Sequence, residues 1–214
     1  TLARDRIGEK PLYWGWSDDL LVFASELKAI KEHPDFDAII DRNALTLLLR
    51  HSYIPAPYSI YQGIQKLLPG HILQIPLLGD LNQSKAVISK PYWSLNKVVE
   101  QGIAEPFNGS PEEAIISLEQ QLKQSVAEQM LADVPLGAFL SGGIDSSLVV
   151  ALMQSQASRP VNTFTIGIDG AGNEAEHAKA VAQHLGTNHT ELYVQASDAL
   201  EVIQRLPSIY CEPF

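Results

Sequence analysis

Between an apolar run, Leu136–Leu140, and an apolar helical pattern from about residue 145 stands the string Ser141-Gly142-Gly143-Ile144-Asp145-Ser146-Ser147. A strand that breaks into paired glycines and restarts as a helix constrains the fold more than any other stretch of the chain. It marks the carboxyl end of a strand in an open parallel sheet, which is where such sheets bind ligands. Two consecutive glycines let backbone amides approach an anion without obstruction by Cβ. The helix that follows turns its unpaired amides and the positive end of its dipole to the same place. Ser141, Ser146 and Ser147 offer hydroxyl donors around the anion. Asp145 would repel a phosphate directly, so its carboxylate makes sense against Mg2+ or as a helix cap. The string lacks the Gly-Lys-[Ser/Thr] ending of a Walker loop and the third glycine of a dinucleotide fingerprint. The competing reading is a small-residue turn whose Asp145 and Ser146 merely cap a helix. A seven-residue string set between strand and helix makes that the weaker reading.

The flanking pattern agrees. Ser110-Pro111-Glu112-Glu113 reads as a capping box that opens an amphipathic helix over 111–130, with Ile115, Leu118, Leu122 and Val126 at helical spacing. Strands expected at Leu136–Leu140, Val161–Ile168 and His189–Val194 then alternate with helices at about 145–156, 173–185 and 198–206. Such alternation predicts a parallel sheet with right-handed crossovers, so the second half is α/β. The first half reads differently. Pro11–Trp16 and Leu20–Ala24 flank the turn Ser17-Asp18-Asp19 as a hairpin, and Ser25 is placed to cap a short helix. A helix over 42–52, a turn at Pro69-Gly70 and a strand over His71–Ile75 follow. Residues 78–110 carry few periodic apolar positions and read as a linker.

Composition narrows the ligand chemistry. A formal net charge of −10 argues against a nucleic-acid partner, which needs clustered Lys and Arg. An anion such as ATP must then be held by backbone amides and metal ions. The single cysteine, Cys211, excludes an internal disulfide and fits a reducing cytoplasm. No apolar run has the length of a membrane span, so no membrane partner is expected. His177 and His184 stand seven apart on one helix face with His189 nearby, but no further ligand has zinc spacing, so surface and cap roles are expected. Arg4 and Asp5 read as a structural ion pair or turn.

The loop resembles the pyrophosphate-binding PP-loop, Ser-Gly-Gly-x-Asp-Ser-[Ser/Thr], of the N-type ATP pyrophosphatases. Flanking strings resemble glutamine-hydrolysing asparagine synthetase over almost the whole chain. Arg4–Tyr13 and Ala24–Ile30 are similar to the last part of that family's glutaminase domain. Tyr53–Pro57, Gly63–His71 and Tyr92-Trp93 are similar to its interdomain region. Asp133–Gly137, Asn173–Ala178 and Leu185–His189 are similar to its synthetase domain. The resemblance implies an adenine nucleotide alpha hydrolase-like domain over 111–214, a linker over 78–110, and over 1–77 the β-rich end of an Ntn-type α+β glutaminase domain with its interdomain region. It implies ATP and Mg2+ as cofactors. L-aspartate, L-glutamine and ammonia are the implied partners, and the resemblance leaves room for a homodimer in the intact enzyme.

By the same resemblance Leu140 and residues Ser141–Ser147 contact ATP, Ile166 packs on adenine, and Asp145 meets Mg2+ through pyrophosphate. Glu212, in a string similar to the family's Asp-Glu-Pro-Phe, approaches the metal. Cys211 replaces the usual aspartate of that string, and Gly172 stands where an aromatic residue is usual. The chain opens at Thr1 and stops at Phe214, both in strings similar to family interior, which predicts a piece of a longer enzyme. On this expectation the N-terminal cysteine nucleophile and the glutamine-binding residues lie upstream, a Ser-Gly-Glu-Gly-x-Asp-Glu segment lies downstream, and the isolated piece is inactive. A related enzyme acting on another carboxylate, similar to β-lactam synthetase, and an inactive nucleotide-binding piece are the alternatives.

Overall fold

Runs of aromatic and branched residues build the first hairpin: β2 (Tyr13–Ser17) pairs antiparallel with β3 (Leu20–Ala24), Trp14 opposite Phe23 and Ser17 opposite Leu20. The structure, a computed structural model, describes residues 1–76, 84–168 and 174–213. Its contacts separate Thr1–Pro106 with Gln204–Phe214 from Phe107–Ile203.

In the first unit β4 (Ile64–Lys66) adds antiparallel to β2, giving the order β3-β2-β4. The crossing is close: a Cβ on Gly15 would stand 1.9 Å from the carbonyl oxygen of Gly63, so only glycine fits. A second small sheet runs β1 (Leu2–Ala3), β5 (His71–Leu73), β6 (Lys90–Pro91) in the order β1-β5-β6. Helices α1 (Leu27–Lys31) and α2 (Arg42–His51) bury Leu27, Ile30 and Ala44 against Tyr13, Val22 and Ile64. The Asp41 carboxylate caps α2 through the Asn43 amide at 2.8 Å. Ser25 does not cap α1. Glu26 holds that position in extended conformation, without a side-chain cap, because the chain leaves β3 at Ala24 still extended.

Arg4 and Asp5 form the expected turn but not the expected ion pair. The Arg4 guanidinium donates to the carbonyls of Lys10 (2.9 Å), Leu67 (2.7 Å) and Gly8 (3.1 Å). Asp5 accepts from the amides of Glu9 (2.8 Å) and Lys10 (3.2 Å), and these amides, Glu9 foremost, hold its carboxyl below the usual range.

Residues 84–106, inside the expected linker, carry β6 and helix α3 (Leu95–Ala104) and cluster with the first unit. The Tyr92 and Trp93 amides donate to Gly70 and the Tyr92 hydroxyl to Arg4, which ties this stretch down; residues 78–83 lie outside the described residues. The chain also returns here at its far end. Helix α8 (Leu206–Ile209) and Cys211–Pro213 belong to the first unit, Cys211 half-buried against its core.

The second unit opens with α4 (Pro111–Gln129), whose capping box joins Ser110 and Glu113. Leu122 and Val126 are half-buried while Ile115 and Leu118 stay exposed, so the apolar stripe is covered over its second half only. Strands β7 (Gly137–Phe139), β8 (Asn162–Ile168) and β9 (Asn188–Val194) form a parallel sheet in that order. Helices α5 (Ile144–Gln156) and α6 (Glu174–Leu185) connect them, and α7 (Ala196–Ile203) follows. Right-handed crossovers between strands taken in sequence put α5 and α6 on one face, where Leu140, Val150, Ala178 and Ala182 pack together. The helix expected over 198–206 stops at Ile203 because Pro207 lacks an N–H and collides with the carbonyl four residues back.

On β8 the parity is clear. Thr163 and Thr165 face the helices and are buried, whereas Phe164, Ile166 and Ile168 are exposed on the other face with Phe139 and Leu192. Among the described residues no helix is long and apolar enough to cross a membrane.

Candidate functional site: an anion cradle after strand β7

The site begins where β7 ends. The Leu140 amide donates to the Phe164 carbonyl at 2.9 Å, and the Leu140 carbonyl accepts from the Thr165 hydroxyl. Both bonds fix the direction in which the chain leaves the sheet. The Leu140 side chain is 1% exposed and belongs to the core, so what this residue offers a ligand is backbone.

The loop then folds on its own hydroxyls. The Ser141 and Ser146 Oγ atoms lie 2.9 Å apart, and the Ser141 and Gly143 amides donate to Ser146 Oγ (3.3 Å) and Ser141 Oγ (3.4 Å). Ser147 donates to the Gly143 carbonyl at 2.6 Å. The three serines, expected as ligand donors, are therefore engaged in shaping the loop.

The two glycines have different duties. Gly142 adopts φ +76°, and a Cβ there would stand 2.7 Å from the Ala178 amide nitrogen and 2.8 Å from His177 Cβ. It is required both by its backbone and by the close seat of the loop on the first turns of α6. A Cβ on Gly143 would meet only Ser141 Oγ, at 3.4 Å, so the space above Gly143 is open. That space faces the start of α5. The first helical bond runs from the Ser147 amide to Gly143 at 3.1 Å, which leaves the amides of Ile144, Asp145 and Ser146 without helical acceptors. Open space above a glycine, beside unpaired amides at the positive end of a helix, suits a phosphate group.

No side chain caps α5, so Asp145 is not a capping residue; its carboxylate is exposed in the first turn. It is thereby available to a cation. Ile166 lies on β8, 53% exposed, on the face away from α5 and α6. Gly172 falls outside the described residues.

Glu212 clusters with the first unit. In the first unit its carboxylate accepts from Lys66 Nζ at 2.5 Å and from the Ile60 amide at 2.9 Å. Lys66 also donates to the Ile54 carbonyl at 2.6 Å. Nearby, burial and then the Glu212 charge raise the Tyr13 phenol well above its ordinary value.

Among the described residues no group of three or more metal-ligating side chains assembles, and the histidines separate. His177 sits against Gly142, His184 lines a groove with Ser147 and Leu148, and His189 Nδ1 lies 2.9 Å from Thr163 Oγ1. Thr165, and the seat of His177 against Gly142, are what the sequence reading missed. A buried threonine in an apolar strand signals a hydroxyl with a fixed partner, but nothing local signals that residue 177 lies against residue 142.

Comparison with known proteins also divides the chain in two, but its second part includes Gln204–Phe214, which cluster with the first unit. Residues 1–93 match the glutamine amidotransferase domain and residues 117–214 match asparagine synthase. The chain is 33% identical to the putative asparagine synthetase [glutamine-hydrolyzing] 2 of Methanocaldococcus jannaschii, over 99% of this chain and 39% of that protein. It is 30% identical to asparagine synthetase [glutamine-hydrolyzing] 1 of Bacillus subtilis, over 97% of this chain and 30% of the relative. Against asparagine synthetase [glutamine-hydrolyzing] 2 of Oryza sativa it is 27% identical, over 95% of this chain and 29% of the relative. The chain thus spans about a third of the length of the curated relatives it matches.

Proposed function

We infer that the chain belongs to the glutamine-hydrolysing asparagine synthetase family, its first part to the amidotransferase domain and its second to the synthase domain, and from that membership we infer its reaction. We propose that it is part of an enzyme that hydrolyses glutamine for ammonia, adenylates the β-carboxylate of aspartate with ATP, and lets ammonia displace AMP. The products are asparagine, AMP and pyrophosphate. The second unit acts as the PP-loop ATP pyrophosphatase and the first as the β-rich part of an Ntn-type glutaminase. We place the boundary within 94–116, between the two matched spans.

The observation that carries this reading is the open cradle at Gly143 beside the unpaired amides of Ile144, Asp145 and Ser146. Backbone donors already fixed by the loop serines stabilise negative charge on the departing pyrophosphate without reorganising during the reaction. Mg2+, when bound, neutralises phosphate charge as a Lewis acid. Asp145, exposed and free of a capping role, is the side chain that would hold it. Ile166 offers apolar surface for the adenine ring. Glu212 is left out of the metal set, because both its oxygens are engaged by Lys66 and Ile60.

The test is Asp145→Asn in the complete enzyme, with asparagine formation and glutamine hydrolysis assayed separately. Asparagine formation is expected to fall about 100-fold or more while glutamine hydrolysis persists. Full synthesis by the variant would overturn the metal assignment. Replacing aspartate by other carboxylic acids in the same assay tests the substrate.

A further inference from the structure

A phosphate-binding loop ordinarily has a cationic or N–H-bearing side chain within reach, and this loop has none of its own. The second unit contains only three Lys and Arg residues, Lys123, Arg159 and Lys179. Lys123 is paired with Glu119 at 2.6 Å, within α4. Lys179 is held by Glu191 at 3.0 Å, and that hydrogen bond raises its ammonium above the usual lysine range. Arg159 lies beyond the C-terminal end of α5, beside Leu136 and Asn162 at the amino ends of β7 and β8. That is the opposite end of the sheet from the loop. The loop serines are engaged with one another and with the loop backbone.

His177 is differently placed. Its Cβ would lie 2.8 Å from a Cβ on Gly142, next to the open position of Gly143. It is exposed, on the first turns of α6, and its side chain has no partner among the described residues. Glu174 and Glu176 share that end of the helix, where its dipole favours acids. Among the described residues of the second unit, His184 reaches the loop only in a groove beside Ser147, whereas His177 lies against its glycines, where an imidazole N–H can be presented to an anion.

We propose that His177 is a ligand of the pyrophosphate moiety, donating an imidazole N–H to it from α6 while the loop amides hold it from α5. This rests on the reading of the loop as a pyrophosphate site. The imidazole supplies from a neighbouring helix what the loop's own sequence lacks, and it needs no Lys or Arg in an acidic chain.

The experiment is calorimetric titration of inorganic pyrophosphate with Mg2+ into this 214-residue chain and its His177→Ala, His177→Gln and Gly143→Asp variants. Thermal melts confirm that each is folded. His177→Ala is expected to weaken binding about 10-fold, while His177→Gln, which keeps a donor, stays within about 3-fold of the parent. Gly143→Asp fills the cradle with a carboxylate and is expected to abolish binding. Parental affinity in His177→Ala, with binding lost in Gly143→Asp, would overturn the role of His177 and leave the loop reading standing. Equal weakening by Ala and Gln would overturn the donor role. Binding that is absent in the parent, or unchanged in Gly143→Asp, would overturn the loop reading and this proposal together.

Discussion

Arg4 in the first unit and Ser141 in the second both stand where a strand gives way to a loop that doubles back on itself. The Arg4 loop is filled from within, its guanidinium taking three carbonyls while Asp5 takes two amides. The Ser141 loop uses only small hydroxyls to keep its shape and leaves three consecutive amides at the start of α5 without helical acceptors. One loop satisfies its backbone with its own charged side chains. The other leaves donors for something that arrives from outside. The same contrast runs through the sheets: the hairpin of the first unit buries Tyr13 on one face and Trp14 on the other, whereas the parallel sheet exposes Phe139, Phe164 and Ile168.

The contrast is open to experiment because Trp14, Trp16 and Trp93 all lie in the first unit, so tryptophan fluorescence reports that unit alone. The largest effect is expected from Gly142→Val. It forces a branched side chain into left-handed backbone and into the α6 amide at Ala178, costing the second unit about 3 kcal/mol or more. Hydrogen exchange should show α5 and α6 opening while the tryptophan transition in urea stays put. A shared shift of both signals would break the division into two independently built regions.

Next comes Lys66→Met, which leaves Glu212 inside the first unit without its counter-charge. The side chains keep 16% and 11% exposure, so the expected loss is about 2–3 kcal/mol, below that for a fully buried pair. It should appear as a lower urea midpoint by tryptophan fluorescence with exchange in β8 and β9 unchanged.

The smallest effect concerns Asp5. Its carboxyl is depressed by the amides of Glu9 and Lys10, so its contribution is fully present above the ordinary value of 3.8 and is lost as pH falls through the lowered folded value. NMR of the Glu9 and Lys10 amides should show that loss below about pH 4. Asp5→Asn should flatten the profile, and a loss centred near neutral pH would assign the effect to another group.

Much of this was legible in local sequence. Ser110 and Glu113 announced their capping box, the Ser17–Asp19 turn announced its hairpin, and Gly142-Gly143 after an apolar run announced the loop. The exceptions follow from interactions that local pattern does not encode. Ser25 lost the cap to Glu26 because pairing with β2 holds the chain extended through Ala24. The loop serines turned inward because Ser141 and Ser146 reach each other only once α5 has formed. In 84–106 the helical spacing of Leu95, Val98, Val99 and Ile103 was there to be read, but that stripe stays exposed and the stretch is anchored by hydrogen bonds to Gly70 and Arg4. The seat of His177 on Gly142 joins residues far apart in sequence and had no local signature.

The bond between Ile60 and Glu212 joins residues 152 positions apart, and the Lys66 ion pair is closed by the same carboxylate. A chain made from its amino end therefore exposes Lys66 long before Glu212 exists. At roughly 5–20 residues per second the gap is about 7–30 s, whereas a hairpin such as β2–β3 closes in about 1–10 μs. Throughout that interval the Lys66 ammonium and the Ile60 amide wait in water, and the first unit remains unfinished at one side. During synthesis a carboxylate that emerges late thus completes a part of the fold laid down early.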